Sequence, residues 1–268
     1  MSACTTRPVL RWHGGKWMLA PWIIQHLPPH RVYVEPFCGA ASVLLRKPRA
    51  YAEIINDLDG NVVNLFQVLR SGQASQLVDQ LRLTPFAREE FVAAYEVSPD
   101  PVERARRLIV RSFMGFASNA CNQATGFRAN SNRSGTTPAR DWLNYPEALA
   151  ATIERLRGVI VENRDALAVM SAHDCPEAVH YVDPPYLPET RDAGGDYRHE
   201  MTAADHDRLL DFLRSLEGAV VLSGYPSEQY DRALSGWTRI ERAALADGAR
   251  KRTEVLWINK ASAKDLLL

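Results

Sequence analysis

The feature that most constrains this chain is a run of β-forming residues that stops at an acid and two prolines. Residues 178–182 read Ala-Val-His-Tyr-Val, and Asp183, Pro184, Pro185 and Tyr186 follow directly. Because proline has no N–H for a strand ladder, this pattern predicts a buried strand that ends at Asp183. Ligands of open α/β sheets bind at the carboxyl ends of the strands, so we expect Asp183 and Tyr186 to border a site.

These residues suit a planar amine. An exocyclic amino group on adenine or cytosine is a weak nucleophile because its lone pair is delocalised into the ring. The Asp183 carboxylate and the Pro184 carbonyl could accept its N–H bonds and favour a pyramidal nitrogen, while Tyr186 stacks on the ring. The alternative is an ordinary strand-to-loop turn, in which Asp183 caps the turn and Tyr186 packs in the core.

Composition restricts the class of protein. The chain has 268 residues, enough for one α/β domain with an insertion, and its 32 basic residues balance 32 acidic ones. A polyanionic partner therefore requires a local basic patch. The four cysteines are widely separated and form no Cys-x-x-Cys pair, which argues against disulfides and against a metal site. Without a signal pattern or an apolar run of about 20 residues, we expect a cytoplasmic protein.

A pair of glycines precedes the first predicted helix. Gly14 and Gly15 separate Trp12 from Lys16 ahead of a helical pattern, where glycines let backbone N–H groups approach a ligand and Lys16 offers a cation. A glycine turn with a solvated lysine is an equally common interpretation. Residues 31–34 form the next predicted strand.

That strand runs into Glu35, Phe37 and Gly39, and then into an apolar helix, as in the first half of a βα unit. A second short strand ends near Asp57, about twenty residues after the first acid, where nucleotide-binding folds place a carboxylate on ribose hydroxyls. Asp57 could instead cap the following helix. Asp165 follows a third predicted strand, and it could accept from a cofactor's adenine amine.

Helical patterns interrupt the βα alternation from residue 71, which predicts a catalytic domain over 1–70 and 151–268 with a helical insert over 71–150. Residues 101–140 hold seven arginines and one acid, Glu103, a local charge of +6. Asn122 and other interleaved amides could read base edges. The alternative is a flexible, solvated loop.

Two later segments extend the predicted nucleic-acid surface. The loop at 187–200, with Arg191, could be a lid, a DNA-contacting loop or a plain surface loop. The strands predicted at 237–240 and 253–259 could form an antiparallel hairpin whose connecting loop carries Lys251 near phosphates.

The motifs and their order resemble the signature set of the Dam-like (D12 class, alpha group) adenine-N6 DNA methyltransferases. These motifs are the glycine motif, the Glu-Pro-Phe-x-Gly turn, the two strand-end acids and Asp-Pro-Pro-Tyr. The insert motifs at 111–115 and 125–128 resemble phage and prophage members. One departure is Ala41, which stands where the Phe-x-Gly-x-Gly pattern has its second glycine; a positive φ there would be costly for alanine.

The resemblance implies a Rossmann-like sheet, mostly parallel with a closing antiparallel hairpin, that binds S-adenosyl-L-methionine and methylates a flipped adenine in duplex DNA. For a cofactor-binding set it implies Trp12 and Lys16 at the methionine end, Phe37 and Gly39 under the cofactor, Asp57 on the ribose and Asp165 at the cofactor adenine. Glu35 and Asp183 complete this set. The implied catalytic set is Asp183, Pro184, Pro185 and Tyr186. Expected DNA contacts are Arg11, Arg111, Asn122, Arg128, Arg133, Arg191 and Lys251.

Two alternatives to this function follow from the same motifs, beside further expectations on partners and role. We expect a monomer without a metal or a membrane partner, with a restriction-modification or phage role. Structured RNA could replace DNA as the substrate, because the same tetrapeptide serves adenines there. A non-catalytic DNA-binding relative is the other alternative, suggested by Ala41.

Overall fold

Strands of the described residues form one sheet. The computed structural model describes residues 5–116, 118–130, 135–190, 198–245 and 251–260. The strands are β1 (Val32–Glu35), β2 (Ala52–Asn56), β3 (Val159–Glu162), β4 (Ala178–Val182), β5 (Ala219–Gly224), β6 (Thr238–Leu245) and β7 (Lys251–Ile258). Their order is β3-β2-β1-β4-β5-β7-β6. The first five in that order are parallel, and β7 is antiparallel to both neighbours, which confirms the predicted α/β sheet with its closing hairpin.

Helices flank this sheet and fill the segment between β2 and β3. They are α1 (Ala20–Gln25), α2 (Ser42–Arg46), α3 (Gly60–Leu69), α4 (Ala74–Leu83), α5 (Arg88–Ala93), α6 (Pro101–Met114), α7 (Pro138–Leu143), α8 (Tyr145–Arg155), α9 (Ala166–His173), α10 (Ala203–Ser215) and α11 (Glu228–Ala233). Asp100 caps α6 ahead of Pro101, and Thr202 with Asp205 forms a capping box on α10. Within the described ranges, no helix is long and apolar enough to cross a membrane.

The helices between β2 and β3 share their core with the sheet. One hydrophobic cluster includes Tyr33 of β1 as well as Phe113 of α6 and Tyr145 of α8. The Tyr145 hydroxyl also donates to the Val9 carbonyl at 2.7 Å, and the Arg11 N–H donates to Ser112 of α6. The amino-terminal segment therefore packs on the helices that we predicted as an insert. The boundaries of that insert, 71 and 150, stay a prediction.

A buried ion cluster stabilises the amino-terminal edge of the sheet. Glu53 of β2 accepts from the Lys47 ammonium at 2.8 Å and from both terminal nitrogens of Arg155 at 2.6 and 2.8 Å. Burial disfavours the charged carboxylate, but the hydrogen bonds from Arg155 and Lys47 prevail and lower the pKa of Glu53. This cluster lies at the end of β2 opposite to the carboxyl edge.

At the carboxyl edge, strand order reverses between β1 and β4, the position where open α/β sheets form a crevice. Asn56, the last residue of β2, links the neighbouring strand ends. Its side-chain N–H₂ donates to the Pro36 carbonyl at 2.9 Å and to the Arg164 carbonyl at 3.0 Å. Its side-chain oxygen accepts from the Arg164 N–H at 2.9 Å. The segments that follow β1, β2 and β3 are thus held at one edge.

Candidate active site

A cavity of about 240 Å³ opens at this edge of the sheet. It brings together, from five separate parts of the sequence, every residue predicted to bind the cofactor: Trp12, Lys16, Glu35, Phe37, Gly39, Asp57, Asp165 and Asp183. Pro184 and Pro185 also line it, whereas Tyr186 is buried and is not one of the lining residues.

Gly39 forms a turn against the indole of Trp12. Its φ is +45°, and a Cβ atom added there would lie 2.5 Å from the Trp12 ring nitrogen. A side chain at this position would therefore meet both backbone strain and a clash. The Gly39 N–H donates to Asp57 Oδ2 at 2.8 Å, which connects the turn after β1 to the end of β2.

Ala41 adopts the left-handed conformation that its sequence position suggested. Its φ is +50°, the residue is fully buried, and its N–H donates to the Cys38 carbonyl at 2.6 Å. Such a conformation costs an alanine about 1–2 kcal/mol. The turn therefore forms with an alanine in the left-handed conformation, at the cost of backbone strain at Ala41.

Asp57 is half-buried beneath the turn. Its Oδ1 accepts from the Asp59 N–H at 2.9 Å and its Oδ2 from Gly39, so each oxygen keeps acceptor capacity for a ligand. Burial raises the pKa of Asp57 to about 6. The cap of α3 is Asp59, which accepts from the Asn61 N–H, rather than Asp57. Asp165 does cap a helix, α9, and lines the cavity as well.

Glu35 is another acid of the cavity, and it is buried. Its Oε2 accepts from the Tyr33 hydroxyl at 2.9 Å and from the Leu44 N–H at 3.1 Å. Burial raises the pKa of Glu35 to about 8, so the carboxyl is largely protonated at neutral pH.

Asp183 is held by contacts from two directions. Its Oδ1 accepts from the Ser223 hydroxyl at 2.7 Å and lies 3.1 Å from the Lys16 ammonium. Lys16 also donates to the Gly14 carbonyl at 2.7 Å and lies 4.6 Å from the centre of the Tyr186 ring. Lys16 therefore contacts the predicted catalytic acid as well as lining the predicted cofactor cavity.

Tyr186 is anchored by the closing hairpin. Its ring is buried, and its hydroxyl donates to Glu254 Oε2 of β7 at 2.8 Å. The Tyr225 ring packs edge-on against it, with the two ring centres 4.7 Å apart. Burial raises the pKa values of both Tyr186 and Glu254, so the phenol keeps the proton that it donates. The predicted stacking of a base on Tyr186 stays a prediction.

The structure describes the surroundings of four of the seven residues predicted to contact DNA. Arg11 donates through its guanidinium to the Gly115 carbonyl at 3.5 Å, Arg111 packs over the Tyr95 ring, and Asn122 lines the cavity. The Arg128 N–H donates to the Met114 carbonyl at 2.7 Å. Arg133 and Arg191 lie outside the described residues. The placement of Lys251 in the hairpin loop was wrong: Lys251 is the first residue of β7, because the ladder with β6 extends to the Leu245–Lys251 pair, and its side chain is not described.

Sequence reasoning missed several polar residues of the site. Ser223 and Glu254 contact the predicted catalytic residues, and Arg198 forms an ion pair with Asp59 at 3.2 Å on the cavity wall. For Ser223, the available signal was a polar residue near the end of an otherwise apolar strand, whereas Glu254 follows three polar residues in β7 and carried no such signal.

Comparisons with known proteins agree with the motifs. Residues 12–245 match the family described as D12 class N6 adenine-specific DNA methyltransferase. The DNA adenine methylase of Escherichia coli (strain K12) is 25% identical over 269 residues, which cover 93% of this chain and 94% of the relative. That of Salmonella typhi is 28% identical over 271 residues, with the same two coverages. The Type II methyltransferase M1.LlaDCHI of Lactococcus lactis subsp. cremoris is 26% identical over 232 residues, 79% of this chain and 77% of the relative.

Proposed function

Because the chain belongs to the D12 class of N6 adenine-specific DNA methyltransferases, we propose that it uses S-adenosyl-L-methionine to methylate an adenine flipped out of duplex DNA. Methylation of DNA adenine at N6 is the activity of the class. Beyond this activity, we propose the identity of the methyl donor, the flipping of the base and the roles of the residues. The observation that carries it is that one cavity is lined by Pro184 and by all eight residues predicted for the cofactor, Asp183 among them.

The cavity fits the proposed donor. Trp12 and Lys16 line it at the end that we assign to the methionine part of the donor, and the absence of a side chain at Gly39 leaves room for the Trp12 indole. Asp57 and Asp165 supply carboxylate acceptors for the hydroxyls and the amine of a nucleoside. When bound, S-adenosyl-L-methionine supplies a methyl group activated by a positively charged sulfur.

The chain itself prepares the acceptor. The Asp183 carboxylate and the Pro184 carbonyl accept the two N–H bonds of the adenine amine, so that its lone pair turns towards the methyl group. Asp183 then takes the proton that the nitrogen loses. Fixed positioning of the amine supplies much of the acceleration.

The base must leave the duplex to reach Asp183, because the amine of a stacked base lies inside the helix. Unstacking costs a few kcal/mol, which contacts from the arginine-rich segment and stacking on Tyr186 offset. We assign the phosphate and groove contacts to Arg11, Arg111 and Arg128, with Asn122 between this surface and the cavity.

The experiment measures transfer of labelled methyl groups from S-adenosyl-L-methionine to duplex DNA and, in parallel, to ribosomal RNA, followed by nucleoside analysis. We expect N6-methyl-2′-deoxyadenosine from the duplex and negligible label in RNA. Preferential labelling of RNA adenine, or of cytosine, would contradict the proposal.

Cofactor binding is measured separately by calorimetry. The Asp57→Asn protein should bind S-adenosyl-L-methionine about 10- to 100-fold more weakly, since a hydrogen bond to a charged group contributes roughly 1.5–3 kcal/mol. Gln229→Ala is the matched control, because its amide contacts Asp207 on the exposed surface. No binding by the wild type would favour a non-catalytic DNA-binding protein.

A further inference from the structure

The two oxygens of the Asp183 carboxylate have different surroundings. Oδ1 accepts from the Ser223 hydroxyl at 2.7 Å and lies nearest to the Lys16 ammonium, at 3.1 Å. Oδ2 accepts no hydrogen bond from the described part of the chain, and Asp183 lines the cavity. Oδ2 is therefore the oxygen with capacity left for a ligand's N–H.

Sheet register places Ser223 beside Asp183. Strands β4 and β5 are parallel, with Val182 opposite Leu222, so the next residues of the two strands become neighbours on one face. On its other side Ser223 pairs with Leu256 of β7, and Ser223 is 1% exposed. Its hydroxyl is thus enclosed between strands and directed at the carboxylate.

The hydrogen bonds around Ser223 have a defined direction. A serine hydroxyl has one proton, and the 2.7 Å contact with Asp183 is shorter than the 3.5 Å contact with the Val182 carbonyl. If Ser223 donates to Asp183, the Tyr181 hydroxyl, 3.2 Å away, must donate to Ser223. Burial raises the pKa of Tyr181 well above its ordinary value, so this phenol keeps its proton. The Tyr181 hydroxyl therefore donates to the Ser223 hydroxyl, which in turn donates to Oδ1 of Asp183.

We propose that Ser223 is a positioning residue, which holds Oδ1 so that Oδ2 accepts an N–H of the target amine. This inference rests on the proposed function of Asp183. A carboxylate rotates easily about its Cβ–Cγ bond, since this torsion is broad and nearly two-fold. Without the Ser223 hydroxyl, the Lys16 ammonium can pair with either oxygen of the carboxylate, so Oδ2 is no longer held towards the amine.

The test compares the wild type, Ser223→Ala, Tyr181→Phe and Ser227→Ala by steady-state methylation of duplex DNA. We expect kcat to fall about 10- to 100-fold in Ser223→Ala, as for small misplacements of reacting groups, with the KM values for DNA and donor unchanged within about twofold. Tyr181→Phe should lower kcat less, because it removes only the hydrogen bond behind Ser223. Ser227 is a matched control: it is also buried, but it caps α11, so Ser227→Ala should keep the wild-type kcat.

A wild-type kcat in Ser223→Ala would overturn the inference, and so would a loss explained entirely by higher KM values. These results are distinguishable from failure of the proposed function, which would show as a wild-type protein that does not methylate DNA adenine.

Discussion

The Gly39→Ala substitution tests whether the turn after β1 is required for the cofactor site. At φ +45°, the left-handed backbone costs a Cβ-bearing residue about 1–2 kcal/mol. The new methyl group would also lie 2.5 Å from the Trp12 ring nitrogen and 2.7 Å from a ring carbon, so the indole must move. Overpacking of this kind costs about 1–3 kcal/mol. The sum predicts a destabilisation of about 2–5 kcal/mol.

The loss should be visible in both stability and binding. Urea denaturation measures the free energy of unfolding, and calorimetry measures the affinity for S-adenosyl-L-methionine. We expect the affinity to fall at least about tenfold, because both Gly39 and Trp12 line the cavity.

Gly72→Ala is the matched control. A Cβ atom there meets nothing within 4 Å, and the residue has no positive φ. It should be neutral or stabilising by about 0.4–1 kcal/mol. A Gly39→Ala protein with wild-type stability and wild-type affinity would refute the assigned turn geometry.

Other predictions concern charge and anchoring. Glu53→Gln should lower the free energy of unfolding by about 3–5 kcal/mol, because two buried cations lose their carboxylate; chemical denaturation checks this. Tyr186→Phe removes the hydrogen bond to Glu254, so kcat should fall severalfold while the melting temperature changes by a few degrees at most. Glu35→Gln tests the acid whose pKa is raised from 4.5 to about 8. The folded protein keeps this proton while the unfolded chain loses it, so wild-type stability falls between these pH values, and the variant should gain relative stability as pH rises through that window. Equal pH dependence in denaturation experiments would contradict that pKa.

Local patterns predicted the parts of the fold that depend on one segment. The residues of β4 are all buried and end before Asp183, and β2 ends before Asp57, as the β-forming runs and the following acids indicated. Acids at strand ends converge whenever parallel strands share an edge. The family motifs then supplied the order of these segments.

The contacts that could not be predicted depend on distant partners. Arg106 counted towards the +6 charge of residues 101–140, yet it donates to Glu90 at 2.9 Å, outside that window, as well as to Glu103. The positive charge available on this surface is therefore smaller than the +6 counted from the sequence. Likewise, Ser223 and Glu254 reach Asp183 and Tyr186 only through the pairing of β4, β5 and β7, and no local periodicity encodes that register.

The most direct test of the account is methyl transfer by Asp183→Ala to duplex DNA at saturating S-adenosyl-L-methionine, with binding of the donor measured on the same preparation. We expect N6-methyl-2′-deoxyadenosine from the wild type and none from the variant, although the variant still binds the donor measurably. Near-normal turnover by Asp183→Ala would contradict the central claim that this carboxylate activates the amine.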